Sequence, residues 1–115
     1  MVSYEEFKKV EIRAGRILSA EKIPETDKLL KLSVDFAEKD EQGNQKPRQI
    51  VSGISTYFTD PSVLVGRTCM FVTNLEPRTI KGFESHGMLF AVSGPDGTFS
   101  LLEPGNGIPP GTLAA

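Results

Sequence analysis

From Leu30 to Phe36 the chain alternates strictly: Leu30, Leu32, Val34 and Phe36 are apolar, and Lys31, Ser33 and Asp35 between them are polar. Successive side chains of a strand point to opposite faces, so this stretch predicts a half-buried strand. Val10 to Lys22 alternates less cleanly. Val10, Ile12, Ala14, Leu18 and Ala20 fall on one face, Arg13 and Ile17 on the other, and Gly15 interrupts them. A glycine inside a long strand predicts a sharp bend at a barrel corner. Residues 23–27, Ile-Pro-Glu-Thr-Asp, read as a turn.

The polar stretch Glu38 to Pro47, centred on Gly43-Asn44, predicts a hairpin tip, and Gln49 to Gly53 a short third strand. Ser55 to Gly66 breaks the alternation. Its Asp60-Pro61 pair supplies an N-cap and a proline suited to the first helical position, which predicts a short helix or helical turns. Cys69 to Leu75 is apolar on both faces and reads as a fourth strand. The loop Glu76 to Gly87 follows, then a fifth strand over Met88 to Ser93. Gly94-Pro95-Asp96-Gly97 is a tight turn, and Thr98 to Leu102 a sixth strand. At the other end Ser3-Tyr4-Glu5-Glu6 is a capping box, opening a short helix from Tyr4 to about Lys9 with Phe7 as its anchor.

Short strands with a helical interruption between the third and fourth describe an all-β fold, the five-stranded Greek-key barrel known as the OB-fold. A generic small β-barrel has the same spacing. The 115 residues make one domain. Its barrel spans about residues 10–102, and an extension without regular structure about 103–115.

Composition narrows the function. No apolar stretch approaches the roughly 20 residues of a membrane span. The N-terminal MVSYEEFKKV has charges where a secretory signal has an apolar run. Both point to a cytoplasmic protein. The single cysteine, Cys69, excludes an internal disulfide and a multi-cysteine metal site, and reads as a small buried hydrophobe. The net charge of −2 argues against a dedicated nucleic-acid binder. The charge is segregated, however. Lys8 to Lys22 holds five basic residues and two acids, and Asp35 to Gln45 holds four acids and one lysine. A basic face on an acidic chain is therefore open.

The stretch NLEPRTIKGFESHGMLFA, residues 74–91, carries the candidate chemistry. Arg78 and Lys81 can meet phosphates, and Gly82 and Gly87 let a backbone approach closely. Ser85 can donate to a phosphate or ribose, and Phe83 or His86 can stack on an exposed base. Plainer readings stand beside these. Arg78 and Lys81 read equally as solvated loop charges, Met88 as core or platform, and Phe83 as a lid on the barrel end. His86, the only histidine, has no evident co-ligands for a metal. Ser85-His86 is no nucleophile pair, since neighbours on a strand face opposite ways. No phosphate-cradling loop or nucleophile elbow occurs, so an enzyme is not expected, and neither is a cofactor.

Three separated motifs carry a resemblance. Asn74-Leu75-Glu76-Pro77-Arg78, then Lys81-Gly82, then Ser85-His86-Gly87-Met88-Leu89 resemble the tRNA-binding domain family. Val10 to Ile17 is similar to its first strand, and Asp27-Lys28-Leu29 to its next motif. That family includes the C-terminal domain of many methionyl-tRNA synthetases, stand-alone bacterial tRNA-binding proteins and EMAPII-like domains. The likeness runs from about Tyr4 to Gly111. It implies an OB-fold that binds tRNA by shape and backbone, without catalysis, in protein biosynthesis. It also implies tRNA contacts at Asn74, Arg78, Lys81, Ser85, His86 and Met88, and at Arg13 and Lys28 on neighbouring elements. An aminoacyl-tRNA synthetase is a further partner it implies. A peptide-binding secretion chaperone of the CsaA type shares the resemblance and is the alternative. The acidic tip, residues 35–45, is larger than the family's and stands in the way of an RNA path across it.

A homodimer is also expected. Leu101, Leu102, Ile108 and Leu113 follow the barrel among prolines and glycines. Two-fold pairing with the N-terminal helix would cover them, as stand-alone relatives' dimers imply. The other option is that these arms fold back on their own barrel. The start at Met1 and the end soon after the last motif suit a free-standing protein, and an excised domain would look the same.

Overall fold

A computed structural model describes residues 1–115. A helical turn, α1 (Tyr4–Phe7), leads into a long strand β1 (Ile12–Lys22), then β2 (Leu30–Asp35) and β3 (Arg48–Ser52). Two 3-10 turns (Ser55–Tyr57 and Pro61–Leu64) separate β3 from β4 (Thr68–Val72). Five short strands complete the chain: β5 (Arg78–Ile80), β6 (Phe83–Ser85), β7 (Met88–Leu89), β8 (Ala91–Ser93) and β9 (Phe99–Leu101). The main sheet has five antiparallel strands in the order β3-β2-β1-β4-β7 and curls into a nearly closed barrel. The OB-type architecture expected from the spacing is therefore present.

The strictest alternation gave the cleanest strand. Leu30, Leu32, Val34 and Phe36 are all buried. They meet Ile17, Ile50 and Phe71 in one core, with the Phe36 and Phe71 rings edge to face at 5.2 Å. Cys69 is fully buried there, and burial pushes its thiol up to about 11. It is the small hydrophobe that its isolation suggested.

β1 departs from expectation in its faces. Ile17 pairs with Val34, yet Ser19 already pairs with Ser33, so Leu18 is an extra residue in a bulge. The bulge reverses the alternation. Ile17 is buried and Leu18 exposed, the opposite of the sequence reading. Ala14 is buried, but by the tail: its amide donates to Thr112 O and its carbonyl accepts from Gly111 N. Gly15 marks no break in the strand. It makes room, because a Cβ there would lie 2.5 Å from Phe36 Cε1 and 2.6 Å from Val34 Cγ1.

Other boundaries also move. The helix expected between the third and fourth strands is only the two 3-10 turns, although Asp60 caps the second by accepting from Ser62 N, as read. The fifth strand is broken into β7 and β8. Leu101 belongs to the core, not to an outlying arm. The tail runs back along β1 through a bridge between Arg13 and Leu113. Phe7 anchors nothing within the chain, being 57% exposed.

The Gly15 geometry gives a direct test. Gly15→Ala forces Phe36 or Val34 off its place, and overpacking of this kind costs about 1–3 kcal/mol. Urea unfolding should show a lower midpoint with an unchanged slope.

Candidate nucleic-acid interface

The segment read as a loop between residues 76 and 87 holds a small hairpin of its own. Arg78 pairs with Ser85, Thr79 with Glu84 and Ile80 with Phe83. Lys81 (φ 49°) and Gly82 (φ 84°) form its two-residue turn. Positive φ at both positions is the signature of a type I′ turn, whose twist matches that of the strands. The strands are three residues each and mostly exposed, so alternation could not reveal them; the Lys81-Gly82 pair could have.

The hairpin closes the barrel. His86 N–H donates to Gln49 O at 2.9 Å, and Val51 N–H donates to Ser85 Oγ at 3.0 Å. Alternate residues of β3 thus bond across the seam, but the second bond ends on a side-chain hydroxyl. Ser85 Oγ in turn donates to Gly87 O at 3.1 Å. Gln49 Nε2 adds a third tie, donating to Glu84 O at 3.0 Å.

Arg48, at the start of β3, holds the same region from beside it. Its guanidinium grips Glu38 through two bonds, Nε to Oε1 at 2.7 Å and Nη2 to Oε2 at 2.8 Å. Its Nη1 donates to the carbonyls of Thr73 and His86, and its plane lies over the Phe36 ring at 5.4 Å. Those hydrogen bonds hold the Glu38 carboxyl below its usual range.

Between the hairpin, β3 and Leu75 lies a cleft of about 240 Å³. Leu29, Val51, Ile80 and Leu89 give it an apolar lining, and Arg78 stands at its polar side with Glu76. Because Arg78 and Ser85 are directly opposed in the hairpin, they share the face that looks into this cleft. Such a slot, apolar with a cation at its edge, suits one flat ring with a phosphate beside it.

The eight residues expected at the site separate into groups. Arg78, Ser85 and Met88 border the cleft. Lys81 is exposed at the hairpin tip, and Lys28 is exposed one residue before Leu29. Arg78 and Lys81 form no ion pair and no side-chain hydrogen bond. Met88 is 43% exposed, a surface residue and not core. His86 is half-buried and faces away from the cleft, with Nε2 3.3 Å from Glu84 Oε1.

Three of the eight are committed inside the protein. Ser85 is 4% exposed and its hydroxyl accepts from Val51 N–H across the seam. Asn74 accepts from Glu11 N at 2.8 Å and donates to Lys9 O at 2.6 Å, pinning the chain's start to the loop. Arg13 bonds Glu11 at 2.8 Å and the Gly111 carbonyl at 2.9 Å, locking the tail onto β1. Phe83, a stacking candidate, already has the Lys31 ammonium over its ring at 5.1 Å. Arg48, Gln49, Leu75 and Ile80 shape the region and were not singled out from sequence.

The family model described as "Putative tRNA binding domain" matches residues 12–113. The chain belongs to the tRNA-binding domain family. That family is a binding domain and non-catalytic. The domain is 45% identical over 96 residues to a methionine–tRNA ligase of Azoarcus sp. (strain BH72), covering 84% of this chain and 13% of the ligase. It is 45% identical over 112 residues to the Methanoregula boonei ligase, covering 97% of this chain and 15% of that one. It therefore spans about a seventh of these relatives. Among solved structures, a MetRS-related protein from Pyrococcus horikoshii superposes with a TM-score of 0.84 at 35% identity, covering 100% of this chain and 98% of that one. The chaperone CsaA of Bacillus anthracis gives 0.80 at 28%, covering 100% and 99%.

The Arg48–Glu38 pair makes a pH prediction. A carboxylate depressed in the fold contributes stability above its ordinary value and loses it as pH falls. Glu38→Gln should be less stable than wild type near neutrality, and the difference should close as pH drops below about 4.5. Parallel urea titrations of both proteins across that range measure it.

Proposed function

We propose that this domain binds tRNA by shape and backbone, gripping it with the β5–β6 hairpin and the cleft beside it. The observation that carries this reading is the state of the cations there. Arg48, Arg67 and Arg13 are all held by carboxylates. Arg78 and Lys81 are unpaired, exposed and mounted on a hairpin stitched to the barrel. Fixed, uncommitted cations are what phosphate contact requires. Membership of the family supports the same ligand. No aromatic ring lines the cleft, and Phe83, the one ring on the hairpin, is already covered by Lys31, so a long stacking platform for single strands is not built there. Folded tRNA is the better fit.

The setting is a cytoplasmic one, either as a stand-alone tRNA-binding protein or joined to a methionyl-tRNA synthetase. A homodimer completes the proposal. Tyr4 (70% exposed) and Phe7 (57% exposed) stand free on α1, and Leu113 (52% exposed) is bridged to Arg13 near the start of β1. Pairing about a two-fold axis would cover these side chains and double the cationic face. The apolar cleft, together with the likeness to CsaA, favours one second reading: a peptide-binding chaperone.

Two measurements bear on this. Arg78→Ala with Lys81→Ala should weaken tRNA binding and lower the salt slope by about 1 for each phosphate the variant no longer neutralises. Wild-type affinity and slope in the double variant would remove the hairpin from the site. Salt-insensitive capture of an unfolded peptide, with no tRNA binding, would favour the chaperone reading. Separately, sedimentation at micromolar concentration should show about twice the chain mass of 12.5 kDa. A monomer that still binds tRNA would end the dimer proposal alone.

A further inference from the structure

Beside the cleft, and sharing Leu75 with it, is a larger groove of about 610 Å³. One wall is the 38–47 hairpin, the other is Leu75 with His86, and Arg48 and Gln49 make the floor. Its volume lies within the ~300–1,000 Å³ typical of small-molecule sites. The hairpin wall was expected to be acidic and hostile to RNA. Two of its three carboxylates are turned to other tasks, and the third, Glu41, does not line the groove. Glu38 is gripped by Arg48. Asp40 accepts from the amides of Gln42 and Asn44, both at 2.9 Å, and so builds the tip turn. Beside the paired Glu38, this wall of the groove presents Lys39 and Lys46, neither in an ion pair, with Pro47 between Lys46 and Arg48.

The chemistry of this lining is specific. Two free ammonium groups on one wall suit a phosphate. Leu75, 48% exposed, and Pro47 present apolar surface of the kind that covers a base or ribose face. Gln49 has donated its Nε2 to Glu84 O, which leaves its amide oxygen for a donor. The His86 ring is a further hydrogen-bonding and stacking group. A double helix cannot use such a concavity, because its bases are stacked inside and only its convex backbone is offered. An unpaired nucleotide can, since its base is free to be splayed out and inserted.

We propose that this groove is a subsite for an unpaired nucleotide of the bound RNA. Its phosphate lies between Lys39 and Lys46, and its base lies against Leu75 and Pro47 within reach of Gln49 and His86. The proposal rests on the RNA-binding reading above. It adds a second contact region, which meets the Arg78 cleft at Leu75, a residue that lines both.

The test uses the whole chain and three probes: unfractionated tRNA, a single-stranded RNA tetranucleotide, and a blunt RNA duplex. Lys39→Ala with Lys46→Ala is the variant, and since both side chains are exposed and unpaired the fold is retained. His86 is the only histidine, so its imidazole signals in NMR report on this groove alone. The tetranucleotide should shift those signals in wild type and not in the variant. The variant should bind tRNA several-fold more weakly, with a salt slope lower by about 1–2, while duplex binding stays equal. Unmoved His86 signals, or equal tRNA affinity and slope in both proteins, would overturn the subsite. Shifted His86 signals in a protein that does not bind tRNA would keep the groove and sink the tRNA reading instead.

Discussion

The guanidinium of Arg48 is the junction on which the binding region depends. It draws together Glu38 from the base of one hairpin, the Thr73 carbonyl at the end of β4, the His86 carbonyl beyond β6 and the Phe36 ring of the core. Only arginine has the planar fork that serves a carboxylate in two bonds and still points a third N–H elsewhere. The pair is partly buried, which makes its parts unequal to lose. Removing Arg48 would leave a desolvated carboxylate and two carbonyls short of a donor, and a stranded polar group costs more than the bond itself contributed. The Arg67–Glu103 pair is also bidentate, at 2.7 and 3.1 Å, but lies more exposed and joins only β4's approach to the tail. The two pairs look alike in geometry. Their consequences differ because one organises three loops and the other one edge.

Barrel closure explains why the same short segment is both structure and site. A five-stranded sheet must join its first and last strands, β3 and β7, or leave open edges. Here the closure is incomplete as backbone pairing and is finished by the Ser85 hydroxyl and the Gln49 amide. The hollow beside Val51 and Ile80 and the one beside Arg48 and Gln49 both lie along this seam.

Legibility in the sequence followed how local each determinant is. β2 could be read because one face is core and the other is solvent along its whole length. β1 could not, because the Leu18 bulge resets its faces and the tail, nearly a hundred residues later, buries Ala14. The small β5–β6 strands have too few buried positions to alternate. In the candidate site, the residues with no internal polar partner are Arg78 and Lys81, on the hairpin that the motif marks. Ser85, Asn74 and Arg13 carry the same motif, but their partners lie 34, 63 and 98 residues away. No spacing rule reports a bond of that length. The motif mixes residues left free at the surface with residues that hold the loop in place, and only the fold separates them.

That separation also resolves how an acidic chain can hold a polyanion. Net charge counts every cation equally, whereas binding depends on those not already neutralised. Arg13, Arg48 and Arg67 each spend their charge on a nearby carboxylate, and Lys31 is divided between Glu21 and the Phe83 ring. The acids that accept them are removed from the field by the same pairing. What remains unpaired at the β5–β6 hairpin is Arg78 and Lys81, with Lys39 and Lys46 in the adjoining groove. Over a screening length of about 8–10 Å these local groups set the potential a phosphate meets, and distant surface acids contribute little. The net charge of −2 then governs solubility and long-range approach, and on the proposed reading the hairpin's own cations would govern contact.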